Sequence, residues 1–137
     1  MATFLLELVS PERLLLSRQV EMVTIPSLEG DMGVLAGHSP MIVALRGGVI
    51  RVRENGTETE TLFVAGGFAE IAPDRCTVLA DEATPLASLS RGEAERRLAE
   101  AEAAYGEIAL EDPPEKREAA MNRVLAMRAM RDAAEAA

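Results

Sequence analysis

Tryptophan is absent from this 137-residue chain, and histidine and cysteine occur once each, as His38 and Cys76. A single thiol excludes an internal disulfide and fits a reducing compartment. One imidazole and one thiol leave no cluster for a zinc site. Bases are scarce too: 14 Lys and Arg stand against 23 Asp and Glu, a net charge of −9. That balance argues against nucleic acid as the main partner, because a phosphate footprint needs clustered cations. Long apolar runs are missing; Met41–Leu45 is strand-sized, far below the ~18 residues of a membrane span. The N-terminus shows neither a basic leader nor an apolar stretch, so no secretory signal is expected. The expectation is an acidic, soluble, intracellular protein.

What is present changes along the chain. Nine of the ten glycines lie between Gly30 and Gly92, whereas alanine crowds the segment after Ala87. Such a shift predicts a β part followed by a helical part, with the boundary near Pro85–Ser90 and domains at residues 1–86 and 87–137. Short runs rich in Val, Ile, Leu and Phe predict strands at Phe4–Val9, Leu14–Ser17, Val20–Ile25, Met41–Leu45, Val49–Arg53, Thr59–Ala65, Phe68–Ala72 and Cys76–Ala80. Asn55-Gly56 predicts a two-residue hairpin turn. Its simplest register sets Glu54 opposite Thr57, Arg53 opposite Glu58, Arg51 opposite Glu60, and Ile50 and Val52 opposite Thr61 and Thr59. Many short strands without intervening helices predict an antiparallel β-sandwich or barrel.

The second part opens on Ser90-Arg-Gly-Glu93, a capping-box pattern, with Leu89 and Ala94 placed as a hydrophobic staple. Ala94, Leu98, Ala101, Tyr105 and Ile108 fall within about 40° of one meridian at 100° per residue. They predict a helix of about five turns, loosened at Gly106. Asp112-Pro-Pro-Glu115 opens a second helix, read over Glu115 to about Ala134, with Asp112 as cap and Pro113 in the first position. Its apolar side is less tidy: Ala120, Met121, Val124 and Met127 cluster, while Met130 falls elsewhere. A short link predicts an antiparallel helical hairpin. The fold class read from these features is α+β.

Candidate chemistry is sparse. His38 lies in Gly37-His-Ser-Pro40, whose Gly and Pro read as a turn. Ser39 is adjacent to it in sequence, a poor arrangement for a nucleophile and its base, and no nucleophile elbow is present. No phosphate-cradling motif occurs: Gly30, Gly33 and Gly37 lack the Gly-Lys-Ser/Thr ending. Cys76 sits in an alternating strand and reads as a small buried side chain. Glu29 and Asp31 read as an exposed acidic loop over Ser27–Gly33, with Leu28 and Met32 interleaved as contact residues. Between positions 115 and 131 five bases face two acids. Arg117, Arg128 and Arg131 project within about 60° of one another, which suits either a solvated face or docking on an acidic partner.

One stretch is more specific. Ile25 to Leu45 closely resembles the signature of the epsilon chain of F-type ATP synthases (called delta in mitochondria). The resemblance is carried by Glu29-Gly30, Gly33-Val34-Leu35 and Gly37-His38-Ser39-Pro40, followed by Leu45, Gly47 or Gly48, and Val49-Ile50-Arg51. A second block, Val64-Ala-Gly-Gly-Phe-Ala-Glu-Ile71 through Val78-Leu-Ala-Asp81, resembles the family's other hallmark. The resemblance implies a flattened sandwich of about ten strands and a helical hairpin that folds against it or extends. It implies a non-catalytic rotor subunit of the central stalk, peripheral at the cytoplasmic face of the bacterial inner membrane. Its partners would be the gamma chain and the c-subunit ring, coupling proton translocation to ATP synthesis.

By the same resemblance, Glu29 and Asp31 match the acidic loop that meets the ring, and His38 the region near the gamma chain. Arg123, Arg128 and Arg131 become candidates for approaching the catalytic beta subunit and restraining ATP hydrolysis. Some relatives bind ATP through Ile-Asp-x-x-Arg-Ala; here Ser90 replaces the Asp and Glu93 the Arg. A carboxylate where a phosphate-facing cation is wanted is unfavourable, so no bound nucleotide, cofactor or metal is expected. The rival reading is a free-standing nucleotide-sensing module. An esterase centred on His38 and a coiled-coil adaptor are weaker, since the apolar stripe spans too few heptads for a coiled coil.

Overall fold

The computed structural model describes residues 2–136. Ten strands precede two helices: β1 Phe4–Val9, β2 Leu14–Val20, β3 Met22–Ser27, β4 Gly30–Leu35, β5 Met41–Leu45, β6 Gly48–Glu54, β7 Thr57–Val64, β8 Gly67–Ala72, β9 Arg75–Ala80 and β10 Ala83–Pro85, then α1 Arg91–Gly106 and α2 Pro114–Ala136. A single 3₁₀ turn at Leu86–Ser88 joins the two parts. The strands follow the order β10-β7-β6-β3-β5-β8-β9-β1-β2, with β4 on the other side of β3. β3 is the joint between layers: residues 22–24 pair with β6, and Ser27 pairs with Leu45 of β5. Pro26 sits at this change of partner, its carbonyl accepting the Arg46 N–H at 2.9 Å. All pairings are antiparallel except β1 with β9, which run parallel.

Alternation fills the space between the layers. Phe4, Leu6 and Leu8 of β1, Val23 and Ile25 of β3, Ile50 and Val52 of β6, Ile71 of β8, and Cys76 and Val78 of β9 are all buried in one cluster. Each comes from the inward half of a two-residue period, the pattern that lets two sheets interdigitate.

β4 and β10 are additions to the expected strands. Ser27–Gly33 reads from sequence as an exposed acidic loop, but from Gly30 the residues alternate as a strand: Met32 and Val34 face inward, Asp31, Gly33 and Leu35 outward. Gly33 belongs in this strand because the Met22 side chain lies over it; a β-carbon there would be 2.6 Å from the Met22 methyl. Met32 packs against the sandwich core and is not a surface contact residue.

The Asn55-Gly56 turn forms, with Asn55 at φ +52° and Gly56 at +77°. Glu54 faces Thr57 and Arg53 faces Glu58 as expected, but a bulge then shifts the register. Beyond it Val52 faces Glu60, Arg51 faces Thr61 and Ile50 faces Leu62. The cause is the core: one extra residue in β7 brings Leu62 and Val64 to the inner face beside Ile50 and Val52, where simple register would leave threonines. The ion pairs change accordingly. Arg51 meets Glu58 at 3.0 Å, and Glu60 meets Arg18 of β2 at 3.2 Å.

The same bulge turns Phe63 outward, directly opposite Val49. Phe63 is nevertheless fully buried, because the helical hairpin packs on it. The second cluster joins Phe63 to Ala94, Leu98 and Ala101 of α1 and Val124, Ala126, Met127, Met130 and Ala133 of α2. Met130, expected off the apolar side, is buried. α2 touches α1 on one flank and the outer face of β6 on the other, so its apolar arc is wider than one stripe.

The helix ends follow local chemistry with two differences. Ser90 Oγ accepts the Glu93 N–H at 3.0 Å, half of the capping box. The Glu93 carboxylate turns instead to Arg96 and Arg97. Asp112 does not cap α2; its Oδ2 accepts the N–H of Ala109 at 2.9 Å, which closes the interhelical turn. α2 starts at Pro114, one residue after the expected first position at Pro113 and one before the expected span from Glu115.

Candidate partner-contact surfaces

No group of three or more metal-ligating side chains occurs among the described residues. His38 follows β4 and is partly buried, with Nδ1 2.8 Å from the carbonyl oxygen of its neighbour Ser39. Gly37 anchors the loop at φ +86°, donating its N–H to Pro73 O at 2.7 Å. Cys76 is buried, and burial pushes its thiol up to about 11. A thiol so shielded from water resists ionisation and is a poor nucleophile.

The surface is more informative. Glu29 shares the two-residue turn between β3 and β4 with Leu28, and both side chains are exposed. The turn is held by Ser27 Oγ donating to Gly30 O at 2.6 Å and by Leu28 N–H donating to Ala44 O at 3.0 Å. Asp31 is on β4, not on the turn, and pairs with Arg46 at 2.6 Å. Glu29 and His38 therefore lie at opposite ends of β4, about 20 Å apart at ~3.3 Å per residue. β5 runs back between the same two ends.

The outer face of β5, β8 and β9 carries apolar side chains with nothing over them. Ile42 is 73% exposed, Phe68 56% and Leu79 52%. The register puts them on one face: Phe68 stands between Ala44 and Leu79, and Ile42, two residues along β5 from Ala44, faces the exposed Glu70. Three large apolar side chains exposed on one sheet face make that face a candidate interaction surface. Their inward neighbours Leu45, Ala69 and Val78 fill the core, so the face is backed by rigid packing.

The three candidate arginines of the second helix, Arg123, Arg128 and Arg131, do not act as one patch. Arg123 reaches back to Glu82, between β9 and β10, at 3.2 Å, and Glu82 also takes Arg97 from α1. Arg131 pairs with its neighbour Asp132 at 3.1 Å. Arg128 is exposed and has no ion-pair partner among the described residues. At the opening of α1, Ser90 is used as the helix cap, and Glu93 is occupied by Arg96 and Arg97. The Arg96 and Arg97 guanidiniums, in that order, hold the Glu93 carboxyl near 2, far below its ordinary 4.5.

Residues 3–86, the strand-built part, match the family described as ATP synthase, Delta/Epsilon chain, beta-sandwich domain. The chain belongs to the ATP synthase delta/epsilon family. The ATP synthase epsilon chain of Granulibacter bethesdensis is 58% identical over 134 residues, 98% of each chain. That of Rhodospirillum rubrum is 49% identical over 120 residues, 88% of each. Among solved structures, a chain of the Euglena gracilis mitochondrial ATP synthase (OSCP/F1/c-ring) superposes with a TM-score of 0.76 at 25% identity, covering 97% of this chain and 82% of that one. A chain of the Tetrahymena thermophila mitochondrial ATP synthase central stalk and c-ring shares the fold, with a TM-score of 0.67 at 17% identity.

Delta/epsilon chains are accessory subunits, and this chain is of that kind rather than a catalytic one. The match covers the full two-part layout, sandwich and both helices. Sequence reasoning had placed Glu29, Asp31, His38 and the α2 arginines as contacts but had not found Ile42, Phe68 and Leu79 as a surface, nor Glu82. The first three were legible only as the outward half of strand alternation. Glu82 carried no signal, because its two partners lie 15 and 41 residues away in sequence.

Proposed function

We propose that this chain is a non-catalytic central-stalk subunit of an F-type ATP synthase at the cytoplasmic face of a bacterial membrane. In that role it joins the gamma chain to the c-ring and so couples proton translocation to ATP synthesis. The observation that carries the reading is the apolar face of Ile42, Phe68 and Leu79 on a closely packed double sheet. This face is continuous with the His38 loop, the region that the family resemblance puts near the gamma chain, and it is the docking surface for that partner. The acidic turn with Glu29 stands at the far end of β4 and β5 and meets the ring. A two-layer strand core between the contacts resists deformation, which suits transmission of torque.

We further assign mechanical work to residues 1–86 and regulation to residues 87–137. The hairpin rests on one apolar platform, Val49 and Phe63, and on a shared carboxylate, a combination of low local stability. When it lifts, Arg123 leaves Glu82 and joins Arg128 and Arg131 in meeting the acidic surface of the catalytic beta subunit, which restrains hydrolysis.

The test is binding of the purified full-length chain to its own gamma chain, with Ile42→Asp as the probe. Binding that Ile42→Asp weakens at least tenfold supports the reading, and binding indifferent to it removes the docking face. For the ring contact, a photo-crosslinker at position 29 should capture the c subunit in the assembled complex. Capture of gamma instead would reverse the assignment of the two ends.

A further inference from the structure

Asn55-Gly56 closes the β6–β7 hairpin, and the same pair of residues can react with itself. The chain has two asparagines, Asn55 and Asn122, both exposed. Asn122 lies inside α2 and precedes Arg123, whereas Asn55 precedes a residue with no β-carbon. Glycine leaves its own backbone nitrogen unobstructed on the side of the preceding side-chain amide. The reaction balances with water alone. The Gly56 nitrogen loses its proton and bonds to Cγ of Asn55; the Cγ–Nδ2 bond breaks, and Nδ2 leaves as ammonia. Water then opens the cyclic imide. Cleavage between Cγ and the nitrogen gives aspartate. Cleavage between the nitrogen and the backbone carbonyl carbon of residue 55 gives isoaspartate, whose chain runs on through Cγ. No oxidant or reductant is needed.

The fold restrains this step at the attacking atom. The Gly56 N–H donates to Oε1 of Glu21 at 2.9 Å. Glu21 stands between β2 and β3, 35 residues away in sequence. Its own N–H donates to Arg53 O at 3.0 Å, so the pairing of β3 with β6 delivers the carboxylate to the turn. Removing the Gly56 proton beside that carboxylate would set two negative charges together, which is unfavourable. The turn is pinned on either side as well. Thr57 Oγ1 donates to Glu54 O at 3.0 Å, and Arg53 Nη1 to Gly56 O at 3.2 Å. With Asn55 held at φ +52° in a closed turn, the rotation that would swing the Gly56 nitrogen toward Cγ is resisted.

We propose that Asn55 is a modification site, converting to aspartate and isoaspartate with loss of ammonia, and that Glu21 sets the rate of this conversion in the folded chain. The guard comes from a different hairpin, so conversion follows opening of the β3–β6 pairing. The product alters the turn. Either form adds a carboxylate beside Glu21 and Glu54, which line the same cleft of about 420 Å³ as Asn55. Isoaspartate also lengthens the backbone of a two-residue turn. The Glu54–Thr57 pair, which starts the register of β6 on β7, cannot close over the extra atom.

The experiment incubates full-length wild type, Glu21→Gln and Glu21→Ala at mildly alkaline pH, both folded and in urea. Mass spectrometry of the peptide containing Asn55 gives the extent of conversion, and isoaspartyl methyltransferase labelling gives the isoaspartate share. The Asn122 peptide is the internal reference, and circular dichroism checks that each variant is folded. Gln keeps an acceptor for the Gly56 N–H without the charge, and Ala removes both. Folded wild type should convert severalfold more slowly than the urea-unfolded chain. Folded Glu21→Ala should convert severalfold faster than folded wild type, with Glu21→Gln between them, and all three should be alike in urea. Should Glu21→Ala fail to fold, Glu21→Gln against wild type carries the comparison. Folded variants that convert at the wild-type rate would overturn Glu21 as the guard. Variants that convert more slowly would overturn it too, by showing the carboxylate to be the base that takes the proton. An Asn55 peptide no more converted in urea than the Asn122 peptide would remove the modification site itself.

Discussion

Glu82 Oε2 lies 3.2 Å from Nη1 of Arg123, although the two residues are 41 apart in sequence. The other carboxylate oxygen of Glu82 takes Arg97, so a single side chain between β9 and β10 holds both helices to the sandwich. All three side chains are about a third to a half exposed, and each pair alone is worth no more than ~1 kcal/mol. Glu82→Gln should therefore speed hydrogen exchange across α1 and α2 severalfold while leaving β6–β9 unchanged. The difference should shrink in high salt, where exposed pairs are screened. Equal exchange in both proteins would remove Glu82 as a tether.

Phe63 is the apolar counterpart of that tether. Among the described residues it is the only large strand side chain fully buried under the helices. Phe63→Ala leaves a cavity between hairpin and sheet and should cost about 3–5 kcal/mol. Because the loss is confined to the second cluster, a helix-sensitive probe should show the hairpin melting ahead of the sandwich.

A sharper backbone constraint sits at Gly67. Its φ of +136° is unfavourable for any L side chain, and a β-carbon there would be 2.0 Å from the carbonyl oxygen of Leu79. Gly67→Ala should destabilise the sandwich by at least about 2 kcal/mol in chemical denaturation. Gly56→Ala, where open space surrounds the β-carbon, should cost less. A reversed order would mean that β8 shifts freely against β9.

The acid response of α1 follows from Glu93. Its folded carboxyl titrates near 2 against an ordinary 4.5, so the native state releases the proton more readily than the unfolded chain. Its contribution is complete above pH ~4.5 and is lost as pH falls toward 2. Asp112 is shifted in the same direction, chiefly by the Ala109 N–H. Thermal melts of wild type should drop through that window, and Glu93→Gln should flatten part of the drop. A Glu93 carboxyl titrating near 4.5 by NMR would contradict the pairing with Arg96 and Arg97.

Much of this architecture was legible from local signals. Asn55-Gly56 announced its hairpin, Ser90 its cap, and Ala94-Leu98-Ala101 the buried stripe of α1. The errors came where a distant partner overrode a local rule. The β7 bulge forms because Leu62 and Val64 are needed in the core, which the turn residues cannot foretell. Met130 is buried because a sheet covers a second flank of α2, a tertiary fact invisible to a helical wheel. Asp112 was read as a cap from its place before two prolines, yet the free N–H of Ala109 claims it. At the surfaces, the acidic turn and the His38 loop were recognisable by motif. The apolar face was not, because Ile42, Phe68 and Leu79 come from three strands and meet only through sheet register.

The central claim is that this strand-built body works by gripping a partner through the outer face of β5, β8 and β9. The most direct measurement is the dissociation constant of the full-length chain for its gamma chain, in wild type and Ile42→Asp. The account predicts measurable wild-type binding and at least a tenfold loss in the variant, with unchanged strand content. Equal affinities for the two proteins, or no binding by either, would contradict it.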